Sequence, residues 1–114
     1  MKFSQVRRHA LSLPEVTEEP HFQYASFRVR GKIFATVPPE EEYIHVFVPE
    51  QEREHALAMH PEFMEKLLWG GKVVGLRVNL SLADAATINR LLDRAWESKA
   101  PKTLLARIGA RNTD

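Results

Sequence analysis

The sequence predicts an α+β fold, a two-layer sandwich with helices on one face of an antiparallel sheet. Three observations predict it. Residues 24–29 and 32–37 are rich in aromatic and β-branched side chains and are joined by Arg30-Gly31, a two-residue hairpin signal. Ile88, Leu91, Leu92, Ala95 and Trp96 recur at i, i+3, i+4, i+7 and i+8, the buried stripe of a long helix. Strand and helix patterns do not alternate as the βαβ units of a parallel sheet would.

Ser4 is suited to cap a first helix running to about Leu11, with Phe3, Val6, Ala10 and Leu13 as its apolar residues and Pro14 as its stop. Pro14 to Pro20 reads as a turn. In the hairpin that follows, a two-residue turn sets Phe27 opposite Phe34 and Arg28 opposite Ile33. Pro38-Pro39 and Glu40 to Glu42 lead to a third strand, Tyr43 to Val48, which alternates Ile44, Val46 and Val48 with Tyr43, His45 and Phe47. Pro49 as first helical residue, with Glu50, Glu52 and Glu54 near the positive end of the helix dipole, starts a second helix to about Met59.

His60-Pro61 interrupts that helix, and Glu62 to Leu67 reads as a short helical piece, with a strand over Met64 to Trp69 as the alternative. Gly70-Gly71 makes a turn into a strand from Val73 to Leu80 that sets Val74, Leu76, Val78 and Leu80 on one face. Ser81 with Asp84 resembles a capping box for the long helix, which ends near Lys99. Pro101 breaks it, and Lys102 to Ile108 forms one more short helix before a polar tail expected to fray.

At 114 residues, with 44% apolar and 27% charged side chains, the chain is expected to form one folded domain, residues 1–114. It contains no cysteine, which excludes disulfides, thiolate metal sites and a cysteine nucleophile. No signal-peptide core or membrane span is legible, so a cytoplasmic location is expected. The five histidines include no pair on one helical face, since His55 and His60 are five apart, and no metal site or cofactor is expected. Neither a nucleophile elbow nor a phosphate loop occurs, and the glutamate runs are of the exposed, solvated kind; no enzymatic activity is expected.

Net charge is +1, but it is unevenly spread: residues 1–71 carry eight Lys/Arg against eleven Asp/Glu, residues 72–114 eight against four. Two basic features stand out. One is a pair of hairpin tips, Arg28, Arg30 and Lys32 in the first and Lys72 in the second. The other is a C-terminal set, Arg90, Arg94, Lys99, Lys102, Arg107 and Arg111. Charges at turns and sheet edges also serve solubility, and Asp93 and Glu97 stand three residues beyond Arg90 and Arg94 as ion-pair partners.

Leu13-Pro14-Glu15-Val16-Thr17-Glu18, Ser26-Phe27-Arg28-Val29-Arg30-Gly31-Lys32-Ile33-Phe34-Ala35 and Ala95-Trp96 through Ala100-Pro101-Lys102 resemble the MmcQ/YjbR-like family of small bacterial proteins. The resemblance runs over nearly the whole chain. It implies the order α-β(3)-α-β(2)-α, a topology similar to that of secretion chaperones, and therefore a fifth strand. Family members are commonly labelled DNA-binding, with two β-hairpin wings as the contact, and no enzymatic activity defines them. The matching positions are Arg28, Arg30 and Lys32 in the first wing and Lys72 in the second. Where relatives often carry Gly-Trp before the later strand, this chain has Gly71-Lys72-Val73, with Trp69 upstream.

The reading is a non-catalytic protein that binds DNA phosphates through its hairpin tips and C-terminal basic face. The rival is a protein- or peptide-binding module using Tyr24, Tyr43 and Phe47, which fall on the sheet face opposite the core. A positive surface joining the tips to the last helix favours the first, and an exposed aromatic face favours the second.

Overall fold

The computed structural model describes residues 1–112, and side chains for residues 1–108. In chain order the elements are α1 (Phe3–Ser12), β1 (Val16–His21), β2 (Tyr24–Val29), β3 (Lys32–Val37), β4 (Tyr43–Val46), α2 (Glu50–Met59), β5 (Met64–Trp69), β6 (Lys72–Asn79), α3 (Ala85–Lys99) and α4 (Lys102–Asn112). The six strands form one antiparallel sheet in the order β1-β2-β3-β4-β6-β5. The expected class and the fifth strand are present, but the sheet has one strand more than expected.

That additional strand is β1, whose segment, with Pro14, Pro20 and the glutamates, has the composition of a turn. It pairs with β2 along its whole length, from Val16 opposite Val29 to His21 opposite Tyr24. Pro20 is tolerated because β1 has a neighbour on one side only, and charged residues with proline protect an open sheet edge. Glu18 is held from above by Arg7 of α1, whose guanidinium donates to both carboxylate oxygens at 2.7 and 2.9 Å.

β5 is the strand alternative for residues 64–69, not the helical piece. Gly70 and Gly71 both have left-handed φ, 58° and 78°, the signature of the primed turn that closes a tight hairpin onto β6. Bulges correct two details of register. One between Phe27 and Arg28 sets Phe27 opposite Ala35 rather than Phe34, while Arg28 does face Ile33. The other, between Leu67 and Leu68, leaves Val74 between the pairs Leu67–Gly75 and Leu68–Val73, so Val74 turns away from the core face while Leu76, Val78 and Leu80 stay on it.

The core lies between the sheet and α1 and α3. Phe27, Phe34, Ile44, Leu76 and Val78 meet the stripe Ile88, Leu91, Leu92, Ala95 and Trp96, all buried. Trp96 also donates its indole N–H to the Pro14 carbonyl at 3.0 Å, which ties α3 to the entry of β1. Helix starts differ from expectation by a few residues. Lys2 precedes α1, with the Gln5 side chain accepting the Lys2 N–H at 2.8 Å, so Ser4 lies inside the helix. Asp84, not Ser81, caps α3 by accepting the Thr87 N–H at 3.1 Å, and Pro49 caps α2 instead of opening its first turn. The last helix continues past Ile108 to Asn112, and the rest of the expected tail lies outside the described residues.

Candidate nucleic-acid interface

Strand direction places the two basic turns together. Every neighbouring pair is antiparallel, so the β2–β3 turn at Arg30-Gly31 and the β5–β6 turn at Gly70-Gly71 lie at the same end of the sheet. With β4 between the two hairpins, their centres are three strand spacings apart, about 14 Å. The C-terminus of α3 reaches the same end: the Ser98 hydroxyl lies 3.4 Å from the Phe47 carbonyl just beyond β4, and Lys99 lies near Ile33 and Val74.

The predicted basic residues divide into two groups. Arg30, with left-handed φ of 48°, lays its guanidinium on Glu15 with N–O distances of 2.8 and 3.0 Å, and Arg107 donates to the same carboxylate at 2.6 Å. These two arginines hold the Glu15 carboxyl below its ordinary value. Arg28 is partly buried on the sheet, where its Nε donates to Ser26 at 3.1 Å and lies 3.9 Å from Glu19. Arg94 bonds Glu97 at 3.0 Å and approaches Glu52 at 3.8 Å.

Lys32, Lys72, Lys99 and Lys102 form the second group. Among the described residues none of them makes an ion pair. Lys32, Lys72 and Lys102 are exposed and Lys99 is half-buried. All four stand at the hairpin-tip end or at the α3–α4 junction beside it. Arg90 is exposed too, but it borders a hollow between α2 and α3 in the helical layer, away from the tips. Its expected partner Asp93 instead meets His9 at 2.7 Å. The side chain of Arg111 lies outside the described residues.

The open face of the sheet carries the second feature, a cleft of about 650 Å³. Its walls are two diagonally opposed corners: Phe22 and Tyr24 at the β1–β2 turn, Leu68 and Trp69 at the end of β5, with Phe47 and Lys99 also lining it. The twist of a sheet lifts diagonal corners to the same side, which turns a flat face into a trough. Tyr24 and Phe47 were expected on this face. Tyr43 sits beyond the cleft in an adjoining hollow, with the Arg77 guanidinium 3.8 Å from its ring centre.

Phe22 and Trp69 are the wall residues that the sequence reading missed. They are 92% and 80% exposed, high values for side chains of that size. Phe22 also has a left-handed φ of 58°, a conformation that costs a bulky residue roughly 1–2 kcal/mol. An exposed phenylalanine held there contributes almost nothing to packing, and such local strain concentrates at functional sites. Both stand in or beside turns, where strand and helix periodicity give no signal.

The cleft floor includes His45, whose Nε2 is buried without a hydrogen-bond partner among the described residues. Burial, and then the charge of Arg77, push its imidazole below the ordinary value, so it is neutral near pH 7. Among the described residues no group of three or more His, Cys, Asp or Glu could hold a metal ion, and no helix is long and apolar enough to cross a membrane.

The YjbR family model matches residues 11–98, which takes in β1 to β6 and nearly all of α3. The chain belongs to the YjbR family. This is not a known enzyme family. In fold, this YjbR protein is similar to Deinococcus radiodurans protein DR2400, whose crystal structure is described as a DUF419 domain, with a TM-score of 0.72 and 16% sequence identity over 83% of this chain and 75% of that one. At that identity the likeness concerns the fold alone. No curated protein matches the chain significantly.

Proposed function

We propose that this YjbR protein is a non-catalytic nucleic-acid-binding protein that contacts phosphates at the hairpin-tip end of its sheet. The observation that carries this reading is the gathering of Lys32, Lys72, Lys99 and Lys102 there, without ion-pair partners among the described residues. A lysine ammonium is a compact point charge on a flexible stem, suited to a phosphate whose exact position varies. Holding several such groups without ion-pair partners gains nothing for folding, whereas a polyanion neutralises them together.

The footprint differs from the one expected from sequence. Arg30, Arg94 and Arg107 are occupied by carboxylates, Arg28 lies partly buried, and Arg90 is remote, so the lysines carry the contact. Binding of a fluorescent oligonucleotide, followed by anisotropy at low salt, tests it. Replacing Lys32, Lys72, Lys99 and Lys102 by Gln should weaken binding of every sequence alike, while Arg90→Gln should leave it intact. Undiminished binding by the fourfold variant would refute the proposal.

A second reading, capture of an apolar peptide segment, is favoured by the exposure of Phe22, Leu68 and Trp69 along the cleft. It is independent of the lysines: binding of such a peptide should survive the fourfold substitution.

A further inference from the structure

The lysine-rich end and the aromatic cleft share Lys99, which borders the cleft, and Trp69 is followed directly by the Gly70-Gly71 turn that presents Lys72. Among the described residues no Asp or Glu lines the cleft, and Lys99 is the one Lys or Arg that does. Its walls include the aromatic side chains of Phe22, Tyr24, Phe47 and Trp69. A ligand that fits both features has aromatic rings joined to negative charges at short intervals.

We infer that the cleft takes the unpaired bases of a single-stranded nucleic acid while the tip lysines hold its phosphates. This deepens the phosphate-binding reading and rests on it. In a duplex the base faces are stacked on one another and cannot enter a trough in a sheet, whereas in a single strand each base offers both faces to an aromatic side chain. A peptide strand is a poorer fit. The cleft lies over the sheet face, where backbone N–H and C=O groups are already paired between strands, so an extended peptide would bury its own polar groups without partners.

Phe22 separates a binding role from a structural one. Because it is almost fully exposed and its φ suits glycine, Phe22→Gly should leave the melting temperature unchanged or raise it, yet weaken single-strand binding. A merely structural residue would not lose binding while the fold gained stability.

Trp69 supplies the direct readout, since the second tryptophan, Trp96, is 6% exposed in the core. Indole emission is followed as three probes are added to the full chain: an oligothymidylate of about 15 nucleotides, near the upper range of a small domain's site, an abasic strand of equal length, and a duplex. The oligothymidylate should quench Trp69 and bind roughly 5- to 150-fold more tightly than the abasic strand, the range expected for one stacked base. Trp69→Ala should reduce that advantage without changing the abasic affinity. If the abasic strand and duplex bind as tightly as the oligothymidylate and leave Trp69 unquenched, base capture is overturned while phosphate binding stands. If no nucleic acid binds and an apolar peptide quenches Trp69 instead, both readings fall.

Discussion

The Arg30 guanidinium lies along the Glu15 carboxylate with N–O distances of 2.8 and 3.0 Å, and the second of these oxygens also accepts from Arg107 at 2.6 Å. One carboxylate thus occupies two arginines at the end of the molecule where nucleic acid is proposed to bind. Glu15→Gln should free both. We predict tighter oligonucleotide binding at low salt, with a log–log salt dependence steeper by about 1.4, two contacts at about 0.7 each on a single strand. An unchanged slope in anisotropy titrations would place Arg30 and Arg107 outside the footprint.

Leu92 is fully buried in the middle of the α3 stripe. Leu92→Ala should cost about 2–5 kcal/mol in denaturant melts, a large part of the reserve of roughly 5–15 kcal/mol typical of a small domain. A loss under about 1 kcal/mol would mean that the stripe does not anchor the helix to the sheet.

Gly75 sits where β6 crosses close to β4, and a Cβ there would run into the Val46 carbonyl oxygen, a backbone atom that cannot swing aside. Gly75→Ala should therefore force the two strands apart. We expect a loss of stability at least as large as that of Leu92→Ala, whereas Ala at exposed Lys66 in neighbouring β5 should change little. A Gly75→Ala protein melting with the wild type would show that β4 and β6 can separate without penalty.

His45 gives the fold a pH dependence of known sign. Its imidazole is held below the ordinary value by burial and by Arg77, so between the folded and unfolded pKa values the unfolded chain binds more protons. Its contribution to stability is full above the unfolded value of about 6.5 and is lost as pH falls through the folded one. Urea melts at about pH 7.5 and pH 5.5 should differ in this direction, and His45→Gln should reduce the difference. An equal or larger acid loss in that variant would assign the effect to other groups.

Much of the architecture was legible because periodicity reports burial. The α3 stripe, the core faces of β4 and most of β6, and the Arg30-Gly31 hairpin follow from apolar spacing and turn chemistry, and each is present. β1 was not legible, because an edge strand lying over solvent can consist of Thr, Glu and Pro, a composition shared with turns. Val74 was misplaced because a bulge shifts the alternation, and a bulge depends on pairing with a distant strand. For the basic residues, sequence gave identity and position but not partners. Whether Arg30 is presented or occupied depends on Glu15, fifteen residues away, and on Arg107, ninety-two residues from that glutamate. The cleft was half visible: Tyr24 and Phe47 fell on the open face by alternation, while Phe22 and Trp69 lie at the edges of that pattern.

Phosphate binding by the four lysines is tested most directly by the salt dependence of oligonucleotide affinity. Each phosphate neutralised on a single strand contributes a slope of about −0.7, so four lysine contacts predict a log–log slope near −3 for the wild type. Replacing Lys32, Lys72, Lys99 and Lys102 by Gln should bring that slope close to zero. A wild-type protein that binds no oligonucleotide even at ~50 mM salt, or a fourfold variant that keeps the wild-type slope, would contradict the account.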